Sequence, residues 1–230
     1  MSKSLSYYHN SMEKWLHLKE LQYQWPNSSK QLSINLESAA NSLLISGKSG
    51  VGKSSLLNLL LGFLRPKSGS IHCLGFDKPL HKQKNVSSIS QELLLLDELS
   101  AKDNIRMAAS LKKVVCDELL YSYIVKVLSI DEFEHKAIKH LSIGQKQKVA
   151  IARALITKPK LLIADEASSA LDKHSEDNML KLFKHVSKRL GTKIILVSHH
   201  EHIKHHFDEH LRLKQEGRYD HVKLISETTI

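Results

Sequence analysis

The run Gly47-Lys48-Ser49-Gly50-Val51-Gly52-Lys53-Ser54 decides the fold of this 230-residue chain, because it completes the pattern G-x-x-x-x-G-K-[ST]. Its glycines allow backbone conformations that are closed to residues with a Cβ, and they turn successive N–H groups toward a phosphate chain. Lys53 supplies a charge that reaches the β and γ phosphates, and the Ser54 hydroxyl is placed to ligate Mg²⁺. We therefore expect nucleotide contacts along the whole run and at Ser55.

The flanking sequence places this loop between a strand and a helix. An apolar run at 41–46 leads into the loop, and a leucine-rich helical pattern at 54–61 leads out of it. Two further apolar runs, at 160–164 and 193–197, each follow a helical pattern. Such continuous runs are typical of strands that are buried on both faces of a parallel sheet. The sequence therefore predicts an α/β fold.

The remaining elements fit around that sheet as one unit. Alternating polar and apolar residues at 15–23 and 31–37 predict antiparallel strands. Residues 70–74 and 86–89 are two further candidates for short strands. From Ser100 to about Gly144 the pattern becomes helical, most clearly at 117–128. We find no repeat or linker, so residues 1–230 are expected to form a single domain with a helical insertion.

Composition narrows the function classes. The longest apolar stretches are much shorter than the roughly 20 residues that cross a bilayer, and the N-terminus lacks the apolar core of a signal peptide. Two distant cysteines, Cys73 and Cys116, favour a reducing cytoplasm. The net charge of +10 comes from 34 basic against 24 acidic residues. Because the lysines are scattered, we expect no direct contact with nucleic acid; proximity to anionic lipid or a solvated basic face explains the charge.

Two carboxylates end the apolar run Leu161-Leu162-Ile163-Ala164, at Asp165 and Glu166. An apolar strand that ends in acidic residues suits a sheet edge where metal and phosphate bind. Asp165 is expected to bind Mg²⁺, directly or through water. Glu166 points differently and is placed to orient and deprotonate an attacking water. In the alternative, one of the two carboxylates caps a helix and the helix dipole favours its neighbour. The phosphate-binding loop upstream argues against this alternative.

A further motif, Leu141-Ser142-Ile143-Gly144-Gln145, opens the helical run 146–155. It resembles the signature Leu-Ser-Gly-Gly-Gln of the ATP-binding cassette ATPases, and the resemblance extends over about residues 15–215. It implies a P-loop NTPase fold with a RecA-like parallel-sheet core, an antiparallel β subdomain, and a helical signature subdomain at about 92–147. It also implies that ATP and Mg²⁺ lie between two copies of the chain. Ser142, Gly144 and Gln145 would then face the γ phosphate held by the opposite subunit, at the positive end of a helix dipole.

The resemblance assigns roles to four more residues. Gln91 resembles the Q-loop glutamine, which senses the metal and the attacking water while its loop touches a membrane partner. Asp172, in Ser169-Ala170-Leu171-Asp172, resembles the D-loop aspartate that communicates across the dimer. His199 resembles the switch histidine that contacts the γ phosphate. Trp25 is the best candidate for the aromatic residue that stacks on adenine, with Tyr23 as the second candidate.

Three features depart from the family pattern or stay open. Ile143 replaces the usual glycine of the signature, and Ala167-Ser168 replaces the commoner Pro-Thr whose proline shapes the turn after the glutamate. The stretch from Ser198 to His210 carries six histidines, His210 included, where the family has an ordinary helix. His199, His202 and His206 would share a face of that helix. A metal site there is one interpretation, and surface histidines are the simpler one.

The resemblance implies an ATPase that drives separate integral membrane permease subunits from the cytoplasmic face of the membrane. The run 93–105 and the Ala-Asp-Glu ending resemble the lipoprotein-release and macrolide-export ATPases, so we expect an exporter. An importer ATPase and a non-transport signalling cassette of the cell-division type are the alternatives. A cassette that acts on ribosomes or DNA is disfavoured, because those relatives carry two cassettes or a long coiled coil.

Overall fold

The computed structural model describes residues 14–216 and 221–226. The nine strands of this part of the chain form one sheet in the order β4-β1-β2-β9-β8-β3-β7-β6-β5. Their bounds are β1 Leu16–Gln24, β2 Gln31–Ser38, β3 Ser42–Gly47, β4 Ser68–Cys73, β5 Val86–Ile89, β6 Leu161–Asp165, β7 Lys193–Val197, β8 Glu209–Glu216 and β9 His221–Ser226. The α/β fold is thereby confirmed.

Five α-helices accompany the sheet in the described part of the chain. They are α1 Lys53–Leu61, α2 Ala101–Leu111, α3 Glu118–Val127, α4 Ile143–Leu155 and α5 Lys173–Leu190. Short 3₁₀ helices lie at Leu80–Lys82, Ile138–His140 and Glu201–His206. None of the helices in the described ranges is both long and apolar enough to cross a membrane.

Strands β5, β6, β7, β3 and β8 run parallel and form the predicted core of the sheet. Their side chains alternate between two apolar layers. Leu44 packs with the helical layer of α2 to α5, whereas Leu43 and Ile45 pack with α1 and the N-terminal strands. Because both faces are covered, β3, β6 and β7 are largely apolar, as the sequence indicated.

The predicted antiparallel strands are confirmed, since β1 pairs antiparallel with both β2 and β4. They are not detached from the core. Strand β9 pairs parallel with β2 and antiparallel with β8, and so joins the two halves of the sheet. The sequence did not predict β8 or β9. Strand β9 lies in the segment 217–230, whose role the sequence does not indicate, and residues 217–220 and 227–230 lie outside the described residues.

Fewer residues of the helical insertion are helical than the sequence suggested. The predicted subdomain at 92–147 contains α2, α3 and the start of α4, but residues 92–100 and 128–137 are loops and turns apart from a bridge at Ser100. The boundaries of this subdomain stay a prediction. The expected ordinary helix at the histidine run is wrong, because Glu201–His206 forms a 3₁₀ turn between β7 and β8.

Asn104 of α2 holds the loop that precedes this helix. It is fully buried, its side-chain oxygen accepts a hydrogen bond from the Leu96 N–H at 2.9 Å, and its amide donates to the carbonyls of Leu96 and Ser100 at 3.1 and 3.0 Å. Buried backbone groups that lose such partners cost about 1–3 kcal/mol each. One asparagine therefore fixes the 96–100 turn on the helical layer.

Asn104→Ala should lower the free energy of unfolding by about 1–3 kcal/mol, because the Leu96 N–H loses its partner, whereas the carbonyls of Leu96 and Ser100 keep backbone partners. Asn178→Ala is the matched control: Asn178 also lies inside a helix, and its side-chain amide lies 3.2 Å from Nε2 of the exposed His174. Both variants gain the same helix propensity, about half a kcal/mol. Urea denaturation monitored by circular dichroism measures both, and equal midpoints would contradict the role given to Asn104.

Candidate nucleotide-binding site

The site lies at the edge of the sheet where β3, β6 and β7 end. Since these strands are parallel, their carboxyl ends meet there, and the loops that follow them approach one another. The phosphate-binding loop follows β3 and enters α1 at Lys53, as predicted. Of its members, Lys48, Ser49, Gly50 and Ser54 are exposed, Gly52 and Ser55 are half-buried, and Gly47, Val51 and Lys53 are buried.

Lys53 is held inside its own loop. Its ammonium group donates hydrogen bonds to the carbonyls of Gly47 at 2.9 Å and Lys48 at 3.3 Å. It also lies 3.7 Å from Oε1 of Glu166. The residue is only 8% exposed, so its charge acts where water screens it little. The structure therefore brings the predicted lysine and the predicted general base together.

Glu166 is fixed from several sides. Its other carboxylate oxygen lies 2.8 Å from Nδ1 of His199, and its N–H donates to the Val197 carbonyl at 2.9 Å. Its φ of +52° is left-handed, a conformation that costs a residue other than glycine about 1–2 kcal/mol. Strain of this kind persists where the surroundings over-determine the backbone, and it clusters at functional sites. Despite Ala167 in place of the usual proline, Glu166 faces Lys53 and His199.

Asp165 has the properties of a metal ligand. Burial raises the pKa of its carboxyl group above the usual range, against a hydrogen bond from the Ser54 hydroxyl that lowers it. Its Oδ1 is buried and has no hydrogen-bond partner among the described residues. A buried oxygen without a donor is costly unless a cation compensates it. Two oxygen donors, one carboxylate and one hydroxyl, suit Mg²⁺, so Asp165 and Ser54 fit the ion that the sequence predicts.

Trp25 lies beside the phosphate-binding loop. Its indole N–H donates to the Ser55 hydroxyl at 3.0 Å, and the ring is packed so closely on Gly52 that an added Cβ would lie 2.7 Å from it. Lys30, which sequence analysis did not single out, donates to the Gly50 carbonyl and lies 5.0 Å from the centre of the Trp25 ring. Tyr23, the second aromatic candidate, is buried against Trp25.

The signature motif forms the start of α4. Ser142 is the N-cap, and it forms a capping box with Gln145, with each side chain bonded to the other's backbone N–H. Gly144 touches the loop after Glu166, because a Cβ there would lie 2.9 Å from the Ala170 carbonyl. Ile143 is 72% exposed, so the unusual residue stands on the surface at the helix start.

The two remaining predicted residues lie at the same edge. Gln91 is exposed, two residues after β5 ends. Asp172 is the N-cap of α5, where hydrogen bonds from the Ser175 backbone and side chain hold the pKa of its carboxyl group below the usual range. The structure gives Asp172 a local role in capping, and the metal and cross-dimer roles of these two residues stay predictions.

Sequence analysis missed two residues that touch the Glu166 loop. Gln147 is buried and donates to the Glu166 carbonyl at 3.3 Å. Its signal was present, because it precedes the apolar Ile151 by four residues and therefore shares the inward face of α4. The second is the buried Glu176 of α5, whose partners are separated from it by 24 and 26 residues. In the described part of the chain, no group of three or more His, Cys, Asp or Glu side chains is arranged to hold a metal ion.

Comparison with known protein families shows which family this chain belongs to. A family model described as ABC transporter matches residues 29–169, from the segment after Trp25 through both carboxylates. The chain belongs to this family. The match covers the signature motif, so the unusual Ile143 is a variation within the family.

Curated relatives share this region of the cassette. The methionine import ATP-binding protein MetN of Bacillus subtilis is 37% identical over 168 residues, which are 69% of this chain and 49% of the relative. The spermidine/putrescine import ATP-binding protein PotA of Borreliella afzelii is 32% identical over 191 residues, which are 80% of this chain and 55% of the relative. The chain thus spans about half of the length of these relatives.

Solved structures share the fold over nearly the whole cassette. The dimeric post-hydrolysis structure of the ATP-binding cassette MJ0796 bound to ADP and Pi has a TM-score of 0.77 at 22% identity, covering 94% of this chain and 100% of that one. The structure of cbiO1 from Clostridium perfringens, part of the ABC transporter complex cbiONQ, has a TM-score of 0.75 at 28% identity, covering 91% and 87%. The P-loop NTPase cassette fold is therefore confirmed.

Asp165→Asn should raise the stability of the protein without ligand, because it removes a buried carboxylate oxygen that no described residue satisfies. The same change should abolish the extra stabilisation that Mg²⁺ gives in the presence of ATP, since a neutral amide binds the ion poorly. Thermal unfolding with ATP and EDTA, and with ATP and Mg²⁺, measures both effects. A variant that gains as much from Mg²⁺ as the parent would contradict the assignment.

Proposed function

We propose that this chain is the ATP-hydrolysing motor subunit of an ABC transporter. The observation that carries the proposal is a pair of contacts beside the phosphate-binding loop. The Glu166 carboxylate lies 3.7 Å from the Lys53 ammonium group and 2.8 Å from Nδ1 of His199. A lysine for the phosphates, a carboxylate base and an imidazole that orients this base are the groups that phosphoryl transfer to water needs.

Each residue then has a chemical task. The loop N–H groups and Lys53 bind the phosphate chain of ATP, and Trp25 offers its ring to the adenine. Asp165 and Ser54 hold Mg²⁺, which when bound neutralises charge on the phosphates. Glu166 accepts a proton from the attacking water. His199 holds the Glu166 carboxylate in place. Its contact with the γ phosphate is proposed from the resemblance to the switch histidine.

We further propose that two copies of the chain close around ATP. The start of α4 supports this: Ser142, Gly144 and Gln145 lie at the positive end of a helix dipole, a favourable place for an anion, although the capping box uses the N–H groups of Ser142 and Gln145. Ile143 adds a large apolar side chain that is 72% exposed at the same place.

The membrane partners and the direction of transport are proposals as well. A relative in structure, cbiO1, is part of an ABC transporter complex, which supports integral membrane permease partners and a position on the cytoplasmic face. The names of the MetN and PotA relatives favour import. We therefore prefer the importer, the alternative in sequence analysis, to the exporter that the 93–105 run suggested. The signalling cassette stays a second alternative.

The neighbouring reading frame is the cheapest observation that discriminates these directions. A periplasmic binding protein beside this chain would support import. A four-helix membrane protein with a large extracytoplasmic domain would support export or signalling instead.

Glu166→Gln should retain ATP binding but accumulate as an ATP-bound dimer, because the link between the copies is no longer hydrolysed. Size-exclusion chromatography with light scattering, with and without ATP, measures the mass. Lys53→Ala in the same background is the control, since it removes the phosphate contact and should keep the protein monomeric. A Glu166→Gln variant that binds ATP and stays monomeric would contradict the dimer.

Trp25→Leu should weaken ATP binding by about tenfold, because base stacking on an aromatic ring contributes about 1–3 kcal/mol. Trp25→Phe keeps an aromatic face and should bind nearly as the parent does. Isothermal titration calorimetry of ATP into the parent and the two variants measures the three affinities without using tryptophan emission. Trp15→Phe is the matched control, because Trp15 is buried, donates to the Ala40 carbonyl and should not affect ATP binding. Equal affinity of Trp25→Leu and its parent would exclude stacking.

A further inference from the structure

A buried carboxylate lies behind the site. Glu176, in the first turn of α5, is only 5% exposed. One of its oxygens lies 3.0 Å from Nδ1 of His200, and the other lies 2.9 Å from Nε2 of His202. The Ser168 hydroxyl donates a third hydrogen bond to the same carboxylate. Three side chains therefore share hydrogen bonds with this one buried carboxylate.

This carboxylate is more than a favourable charge at a helix start. The helix dipole favours an acidic residue in the first turn, but such residues are usually exposed, and burial of a charge is costly unless it is paired. Burial alone would raise the pKa of Glu176, yet hydrogen bonds from Ser168, His200 and His202 outweigh it and hold the pKa below its usual range. The surroundings are therefore built for the ionised form.

The three partners of Glu176 belong to segments that carry site residues. Ser168 lies two residues after Glu166, and it is almost fully buried. Glu176 itself is one turn after Asp172 in the same helix. His200 follows His199 directly, and the rings of these two histidines pack edge to face with their centres 4.1 Å apart. One carboxylate thus joins the loop after Glu166, the start of α5 and the loop after β7.

The contact reaches His199 through the neighbouring ring. His199 is exposed, and its Nδ1 lies within hydrogen-bond distance of Glu166. Hydrogen bonds of its other residues hold the loop 198–202. The His200 N–H donates to the Ser198 hydroxyl at 3.0 Å, and the His200 and His202 rings are bound to Glu176. A loop fixed at two rings leaves His199 little freedom to leave Glu166.

We propose that Glu176 is a positioning residue that clamps the 198–202 loop through His200 and His202 and so keeps His199 on Glu166. The inference rests on the proposed ATPase function for its effect on turnover, but its geometric content can be tested without turnover. Sequence reading gave none of this, since Glu176 looks like an ordinary acidic residue of a first helical turn.

Glu176→Gln tests the clamp, because it keeps the shape of the side chain and removes the charge that two histidines share. We expect kcat to fall by about 10- to 100-fold, the range for a displaced catalytic group, with KM for ATP within about twofold. Glu201→Gln is the matched control. Glu201 lies in the same loop, but its carboxylate faces Arg212 at 3.0 Å at the surface, and this variant should behave as the parent does.

Long-range ¹⁵N–¹H correlation spectra of the imidazole rings supply the second readout. In Glu176→Gln the His199 resonances should move together with those of His200 and His202, whereas Glu201→Gln should leave them in place. Unmoved His199 resonances in Glu176→Gln would overturn the inference, whatever happens to turnover. Moved resonances in a protein whose parent hydrolyses no ATP would support the clamp and instead contradict the proposed function.

Discussion

Burial of the central strands on both faces is the constraint on which the site depends. Strands β3, β6 and β7 have apolar residues in both layers, so their charged side chains lie at the strand ends or beyond them. The phosphate-binding loop, Asp165 and His199 each lie at the end of one of these strands or just after it. Their meeting is thus a consequence of three parallel strands that end together, rather than of any attraction among the polar groups themselves.

The same constraint explains what the sequence could predict. The phosphate-binding loop, the strand that precedes Asp165, and the apolar run 193–197 are local patterns, so their positions followed from residue types and periodicity. Strands β8 and β9 gave a weaker signal, although they lie in the middle of the sheet. Strand β8 carries charged residues along its length, and the pairing of β9 with β2 and of β8 with β3 joins segments about 170 to 190 residues apart, which no local pattern records.

The candidate site shows the same limit at the level of side chains. Lys53, Asp165 and Glu166 could be predicted because each belongs to a motif whose spacing expresses its chemistry. Glu176 belongs to no motif, and its role depends on two histidines 24 and 26 residues away. The histidine run was interpreted as a helix face, whereas the 3₁₀ turn directs two of its rings at one carboxylate. A tertiary partner, rather than helical periodicity, decides where these rings point.

The contacts around the Glu166 loop together stabilise its left-handed backbone. A residue at φ +52° that no proline follows keeps this conformation only because its neighbours hold it. Three elements hold it here. Gln147 of α4 donates to its carbonyl, β7 accepts its N–H through Val197, and Glu176 binds the Ser168 hydroxyl two residues on. The signature helix, the central sheet and α5 thus all bear on the loop of the general base. Because Gly144 also touches Ala170 in this loop, a partner that binds the start of α4 contacts a segment already coupled to Glu166.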